Sequence, residues 1–463
     1  MQCAITVKTV QNSKGTPMPK KHPNILIFAI DSIRRDHMSC YGYPRLTTPY
    51  FDELAFDGTL IENAFSPYIP TTPAYSSMLT GQDVVSHQMV SLGPKGPLDK
   101  KHPTLPELLK KAGYTSTVVG FDKGFYRGFD NYLNFEGWVS WEERPARKAE
   151  NLNNVALPAL EKMHKSGKPW LLFLRHMDPH APYLPPAPYD TMFYSKNPCD
   201  PKNKSMKPVF AFKPFADFLS SWMPPGCTDK DYVIAQYDGA ITYMDACCQR
   251  IITRLEELGC KDDTLIVITG DHGETLYDHE CFFDHHGLYE PTLVVPLIYY
   301  WPGKVPAGVH SNAYSKHEDL IPTILDLCGL KSLAKGVKFD GVSLTKYFNE
   351  DGGSPRSEFY ITECTWMRKH GWRTPIWKFW EALEPDFHGK PPVELYNLVE
   401  DPEESKNLAR KEPALVEMLR DRMNSWIEKR CKETGKGNPI NDYWIGTDKY
   451  IGSVATAKTL QQR

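Results

Sequence analysis

The chain carries almost no excess of charge of either sign. Its 54 Lys and Arg face 57 Asp and Glu, a formal charge of −3 over 463 residues. That balance lacks the surplus of Lys and Arg by which a general nucleic-acid binder is recognised. Apolar runs are short, none approaching the ~18–20 residues that span a bilayer, so no membrane partner is expected. The opening segment MQCAITVKTVQNSKGTPMPKKHPN has no hydrophobic stretch of the kind a secretory signal needs. There is no C-x-x-C pair, and the eleven cysteines are scattered and odd in number. Reduced thiols in a cytoplasmic enzyme are the expectation. No internal repeat points to a solenoid. What remains is an ordinary globular composition, 41% hydrophobic and 24% charged, long enough for one large domain and a smaller one.

Periodicity divides the chain further. Residues 1–22 read as a polar N-terminal arm, 23–352 as the main domain, and 353–463 as a C-terminal subdomain and tail. In the main domain, Asn24 to Ile30, Trp170 to Leu174, Thr264 to Thr269 and Val295 to Tyr300 read as strands, the first two as short buried apolar runs, and Thr115 to Val119 reads as a strand after a helix. Helical patterns lie between them, at Pro49 to Gly58, Thr104 to Gly113, 147–165 and Asp319 to Cys328. The strongest period runs from Asp229 to Gly259, where Val233, Tyr237, Ile241, Met244, Cys248, Ile251 and Leu255 trace one stripe. Strands separated by helices predict an α/β sheet flanked by helices. Residues 182–226 read as a long irregular loop, a lid or an oligomer contact. After about residue 352, strands at Phe359 to Thr362, Ile376 to Phe379 and Glu394 to Asn397 and a helix from Pro413 to Lys432 predict a smaller α+β unit.

In such sheets, ligands gather beyond the carboxyl ends of the strands. Asp31 follows the first strand directly, and Asp271-His272 follow TLIVIT through one glycine. Two carboxylates and an imidazole on one sheet edge suit a divalent metal; N-capping accounts for either Asp taken alone. Thr71 opens a Pro-containing helical segment ended by Gly81. A helix N-terminus favours an anion, and a metal-activated Thr hydroxyl is a nucleophile. A plain Thr N-cap explains the same pattern.

The segments FAIDSIRRDHMSCYGYPRLTTPYFDELA, TTPAYSSMLTG, RHMDPHAPYLPP, ITGDHGETLYDHE, HHGLYEPTLVVPLIYYWPGKV and ELYNLVEDPEESKNLA resemble, in the same order, the sulfatase branch of the alkaline phosphatase superfamily. The resemblance implies an alkaline-phosphatase-like α/β domain with a small C-terminal subdomain. It also implies metal-assisted hydrolysis of a small anionic ester of sulfate, phosphate or phosphonate. A homo-oligomer is compatible with it.

The departures from that pattern carry the functional expectation. The family's C/S-x-P-x-R motif supplies the residue oxidised to formylglycine; here Thr71 stands at the nucleophile position and Tyr75 at the Arg position. A Thr cannot become formylglycine, so the resemblance points to phosphorus chemistry, a phosphate diester or a phosphonate monoester. An unmodified-Thr sulfatase, a phospho-group transferase and a non-catalytic binding protein are the alternatives. Ser32 stands where many sulfatases have a second metal-binding Asp. With Asp31, Thr71, Asp271 and His272 as the ligand set, Mn²⁺ or Zn²⁺ is expected ahead of Ca²⁺ or Mg²⁺. Lys123 in GFDKGF matches a family His near the ester, and a solvated Lys reads equally well. His180 in DPHAPY and His286 in HHGLYE match positions beside the transferred group and the leaving group, with His285 a neighbour not separable from His286. Asp178, His180, Asp284 and His286 are the set from which a second metal site would be drawn. Arg34 and Asp36 would brace the metal loop. The aromatic, basic segment WMRKHGWRTPIWKFW (366–380) reads either as a substrate rim or as a strand pair whose Trp residues fill a seam.

Overall fold

The computed structural model describes residues 22–93, 96–120, 126–386 and 388–441. Thirteen strands are present among them: β1 (Asn24–Ile30), β2 (Thr59–Phe65), β3 (Tyr68–Ile69), β4 (Thr115–Val119), β5 (Asn131–Leu133), β6 (Trp170–His176), β7 (Thr264–Gly270), β8 (Leu297–Tyr300), β9 (Val309–Lys316), β10 (Phe359–Cys364), β11 (Arg368–Arg373), β12 (Trp377–Ala382) and β13 (Val393–Asn397). They form an eight-stranded sheet, β5-β4-β6-β1-β7-β8-β2-β9, and a five-stranded one, β13-β12-β11-β10-β3. The large sheet is parallel except at β8, which runs against both β7 and β2. This is the mixed α/β architecture expected, with a second, smaller sheet.

The apolar strands are buried on both faces, as parallel strands covered by helices must be. Ile25, Ile27 and Ala29 face a core with Met78, Leu108 and Ile324. Leu26, Phe28 and Ile30 face the other, with Leu54, Leu152, Met244 and Ile251. The helix Lys230–Glu257 lies on that second face through the later part of the predicted stripe, Met244, Cys248, Ile251 and Leu255, while Val233, Tyr237 and Ile241 pack in a third cluster. The Asp229 side chain caps it, accepting from the Asp231 N–H. At about 2–5 kcal/mol per buried Leu or Ile cut to Ala, these layers hold the sheet edge rigidly under the site.

One expectation is overturned. The 182–226 stretch is not irregular throughout: it contains the helices Lys207–Ala211 and Lys213–Trp222. Phe215, Leu219 and Trp222 recur at helical spacing and bury against Tyr183, Tyr237 and Phe283, so tertiary packing organises a segment whose Pro and Lys content reads as loop. The 366–380 segment forms the antiparallel pair β11–β12. Trp372 and Trp380 are buried there. Its cations pair internally, Lys369 with Asp386 and Lys378 with Glu290 and Glu404, so the segment is a seam and not a rim. Ten cysteines are free and none is in a disulfide among the described residues. No helix among them is long and apolar enough to cross a membrane.

β3 is only two residues long and joins the small sheet, pairing in parallel with β10. The chain passes directly from it into the helix Thr71–Thr80.

Candidate active site

Parallel register brings the carboxyl ends of β1, β6 and β7 level, with Ile30 beside both His176 and Gly270. Asp31 and Asp271-His272 therefore emerge side by side, and all three are fully buried. Ser32 adopts φ = 59°, turning its N–H onto Asp271 Oδ1 at 3.1 Å. The His272 N–H donates to the same oxygen at 2.8 Å. Among the described residues Asp271 Oδ2 accepts no hydrogen bond, and it lies 3.5 Å from His272 Nε2. Gly273 is required here, since a Cβ would lie 1.9 Å from the Pro291 carbonyl oxygen.

The tautomer of His272 follows from its partners. Nδ1–H donates to the Gly273 carbonyl at 2.9 Å, so Nε2 carries the bare lone pair. Burial lowers the pKa of this imidazole and keeps it neutral, against the pull of Asp31. The Thr71 hydroxyl lies 3.2 Å from Nε2. Ligand atoms of Asp31, Asp271 and His272 all fall within 4.8 Å of one another. Two hard oxygens and one imidazole nitrogen fit a divalent cation, and the orphaned Asp271 Oδ2 gives it an unused ligand.

Arg175, at the end of β6, was missed by sequence reasoning. Its Nε donates to Asp31 Oδ2 at 3.0 Å and its Nη2 bonds the same oxygen. Burial alone would raise the Asp31 pKa, but Arg175 carries it well below the usual carboxylate range. Asp271 has no such partner and is pushed up to about 8 by burial and by Asp31. A charged residue ending the apolar run WLLFL was the available signal.

The other expected residues fall in different places. His180 Nδ1–H donates to the Ala181 carbonyl at 2.7 Å. Its ring meets Trp138 at 5.2 Å and His285 at 5.9 Å, and burial lowers its pKa to about 3. It is His285, not His286, whose ring stacks on His272, at 4.4 Å. His286 turns into the small sheet. Its Nδ1 is 3.1 Å from Glu363 and its Nε2 3.4 Å from Asp386. The second metal set regroups accordingly: Glu274, Asp284 and His285 cluster together, and His286 lies with Cys281 and His388. Asp178 sits apart from both clusters, where burial raises its pKa to about 7. Tyr75 is wholly buried, packed edge-on against Tyr126 and Phe173, with the Arg175 guanidinium 5.4 Å from its ring. Lys123 lies outside the described residues. Arg34 grips Asp36 in two places and reaches Asp278 at 2.6 Å, tying the loop after β1 to the loop after β7. A separate cavity of about 700 Å³ lies between those loops and the small sheet, and neither Thr71 nor His272 lines it.

Comparison with known proteins settles the family. The model described as "Sulfatase" matches residues 23–330. The chain belongs to the sulfatase family. A second match, "N-sulphoglucosamine sulphohydrolase, C-terminal", covers residues 278–430, so the sulfatase pattern continues through the small sheet. Among curated relatives, the multifunctional alkaline phosphatase superfamily protein PehA of Trinickia caryophylli is 27% identical over 381 residues, 66% of this chain and 74% of that protein. An N-acetylglucosamine-6-O-sulfatase of Bacteroides thetaiotaomicron is 24% identical over 87% of this chain and 86% of its own. The phosphonate monoester hydrolase of Agrobacterium radiobacter superposes with a TM-score of 0.70 at 23% identity, covering 88% of this chain and 96% of that one; this likeness is one of fold. As a sulfatase-family protein, the chain is a hydrolase of ester bonds, with a ligand set suited to a divalent metal at the carboxyl edge of its large sheet.

Proposed function

We propose that this sulfatase-family hydrolase cleaves phosphate diesters or phosphonate monoesters, with Thr71 as nucleophile. The observation that carries the reading is the Thr71 hydroxyl at the start of a buried helix, 3.2 Å from His272 Nε2. A Thr at this position offers a hydroxyl and no route to formylglycine. The names of PehA and of the Agrobacterium enzyme support phosphorus as the centre attacked.

Asp31, Asp271 and His272 would hold the divalent ion, Mn²⁺ or Zn²⁺ ahead of harder ions. When bound, it supplies charge neutralisation on the ester oxygens and lowers the pKa of the Thr71 hydroxyl. The residues of the chain do the rest. The free N–H groups of the Thr71–Thr80 N-terminus face the anion. Thr71 Oγ1 forms the bond to phosphorus as the bond to the leaving oxygen breaks in line, and the proton lost by the hydroxyl balances the one the departing alkoxide takes up to leave as the alcohol. His180 is neutral and its Nδ1 is engaged, so its Nε2 lone pair is left to accept a hydrogen bond that orients the water clearing phospho-Thr71. Arg175 fixes the Asp31 carboxylate. His286, enclosed by Glu363 and Asp386, positions the return loop that presents His285.

The test is hydrolysis of matched p-nitrophenyl phosphate, bis-phosphate diester, phenylphosphonate and sulfate by metal-reconstituted protein. Preference for the diester or phosphonate supports the reading; preference for the sulfate overturns it. The second reading, a sulfate-ester hydrolase with an unmodified Thr, is favoured by the named sulfatases among the relatives.

A further inference from the structure

We propose that Glu274, Asp284 and His285 form a second divalent-cation seat, sharing a wall with the first. The loop that leaves β7 with Asp271 and His272 continues through Gly273 to Glu274, then folds back. Thr275 and Asp284 clamp its two arms by a reciprocal pair of backbone hydrogen bonds, 2.6 and 3.1 Å. That clamp sets Glu274 opposite Asp284 and His285, and one ligand atom from each lies within 4.8 Å of the others.

The cluster contains an unused ligand. Glu274 is 1% exposed, and its Oε1 accepts no hydrogen bond. This oxygen is aimed at the cluster, 3.9 Å from His285 Nδ1. Asp284 Oδ1 is 3.4 Å from the same nitrogen. The other Asp284 oxygen is taken by Trp366 Nε1–H at 2.5 Å, which orients the carboxylate as outer partners of metal ligands do.

Charge makes the same point. Arg175 is committed to Asp31, and Arg34 to Asp36 and Asp278. Among the described residues, neither Glu274 nor Asp284 has a Lys or Arg partner; the one ionisable base close to both carboxylates is His285. A single dication between Asp31, Asp271 and His272 leaves two carboxylates uncompensated in a buried place, which is costly unless a cation joins them. Two oxygens and one nitrogen suit Mn²⁺ or Zn²⁺, and three ligands are too few for Ca²⁺. The 4.4 Å stack of His272 on His285 puts the two seats on either side of one imidazole pair.

The test counts ions on the full-length protein. Chelator-treated protein is reconstituted with Mn²⁺, desalted and analysed by elemental mass spectrometry. Two ions per chain are expected, falling to one in Glu274→Gln and in Asp284→Asn. One ion in the wild type, or two retained in both variants, overturns the proposal. Should the variants fail to fold, anomalous scattering from Mn²⁺-soaked wild-type crystals decides. A second peak between Glu274 and His285 supports the seat, and a peak at Asp31–Asp271–His272 alone overturns it. Neither readout depends on which ester is cleaved, so failure here is distinct from failure of the phosphoryl reading.

Discussion

Two buried charge clusters lie within a few residues of each other along the chain and are built on opposite principles. At the sheet edge, among the described residues, Asp271, Glu274 and Asp284 have no Lys or Arg ion pair, and Asp271 Oδ2 and Glu274 Oε1 accept no hydrogen bond. In the seam between the sheets, Glu290 meets Arg373 and Lys378 at 3.0 Å each, Glu404 meets Lys378 at 2.5 Å, and Asp386 meets Lys369 at 2.5 Å. The first cluster is poised to take a cation from outside; the second already contains its own. Burial alone distinguishes neither. The placement of cations does, and that is what separates a reactive centre from a structural joint.

The comparison is broken most sharply at Thr71. Thr71→Ala lowers kcat by about a thousandfold or more while the thermal transition of the metal-free protein stays in place. Near-full activity in that variant would remove the nucleophile. The largest stability effect belongs to the seam. Lys378→Met strands Glu404, leaves Glu290 with Arg373 alone and costs about 3–5 kcal/mol, read from urea midpoints; a loss under 1 kcal/mol would mean the pair is not a structural joint.

A pH series sharpens the contrast within the seam. Burial, reinforced by Glu290 and opposed by Lys378, raises the Glu404 pKa from 4.5 to about 7. The folded state then holds the proton more tightly than the unfolded one. This contribution is complete below about pH 4.5 and is lost as pH rises through about 7. Glu290 is lowered to about 2, so its own loss falls in acid, outside this window. Glu404→Gln should flatten the decline in stability between pH 5 and pH 8 by about 1–3 kcal/mol; an unchanged slope refutes the assignment. The smallest effect is at the sheet edge. Asp271→Asn removes an uncompensated buried carboxyl, so the metal-free protein keeps its stability to within about 1 kcal/mol, yet metal uptake and turnover fall together.

Much of this was readable beforehand, for physical reasons. β1, β6 and β7 are rich in apolar residues because parallel strands are covered on both faces. The residues following two of them carried the site. β9, with the sequence VHSNAYSK, lies at the sheet's edge and mixes buried with exposed positions. β11, with RKHGWR, is buried only because carboxylates distant in sequence neutralise it. No local pattern reports such partners. The same holds for Arg175, which matters only through Asp31, and for Glu274, whose significance depends on a loop folding back. The exchange of His286 for His285 at the wall of the site is a one-residue choice made by Glu363 and Asp386, which reach in from the other sheet.

The short strand β3 has a consequence for how the protein comes into being. It precedes Thr71 by two residues and is paired to β10, with the Thr362 N–H donating to the Pro67 carbonyl at 2.9 Å. Thr71 is therefore anchored to a segment synthesised almost three hundred residues later. A growing chain on the ribosome carries Thr71 early, while His272 beside its hydroxyl and β10 beneath its strand emerge much later. The β3–β10 pairing that holds the start of this helix is thus among the last long-range contacts the chain can make.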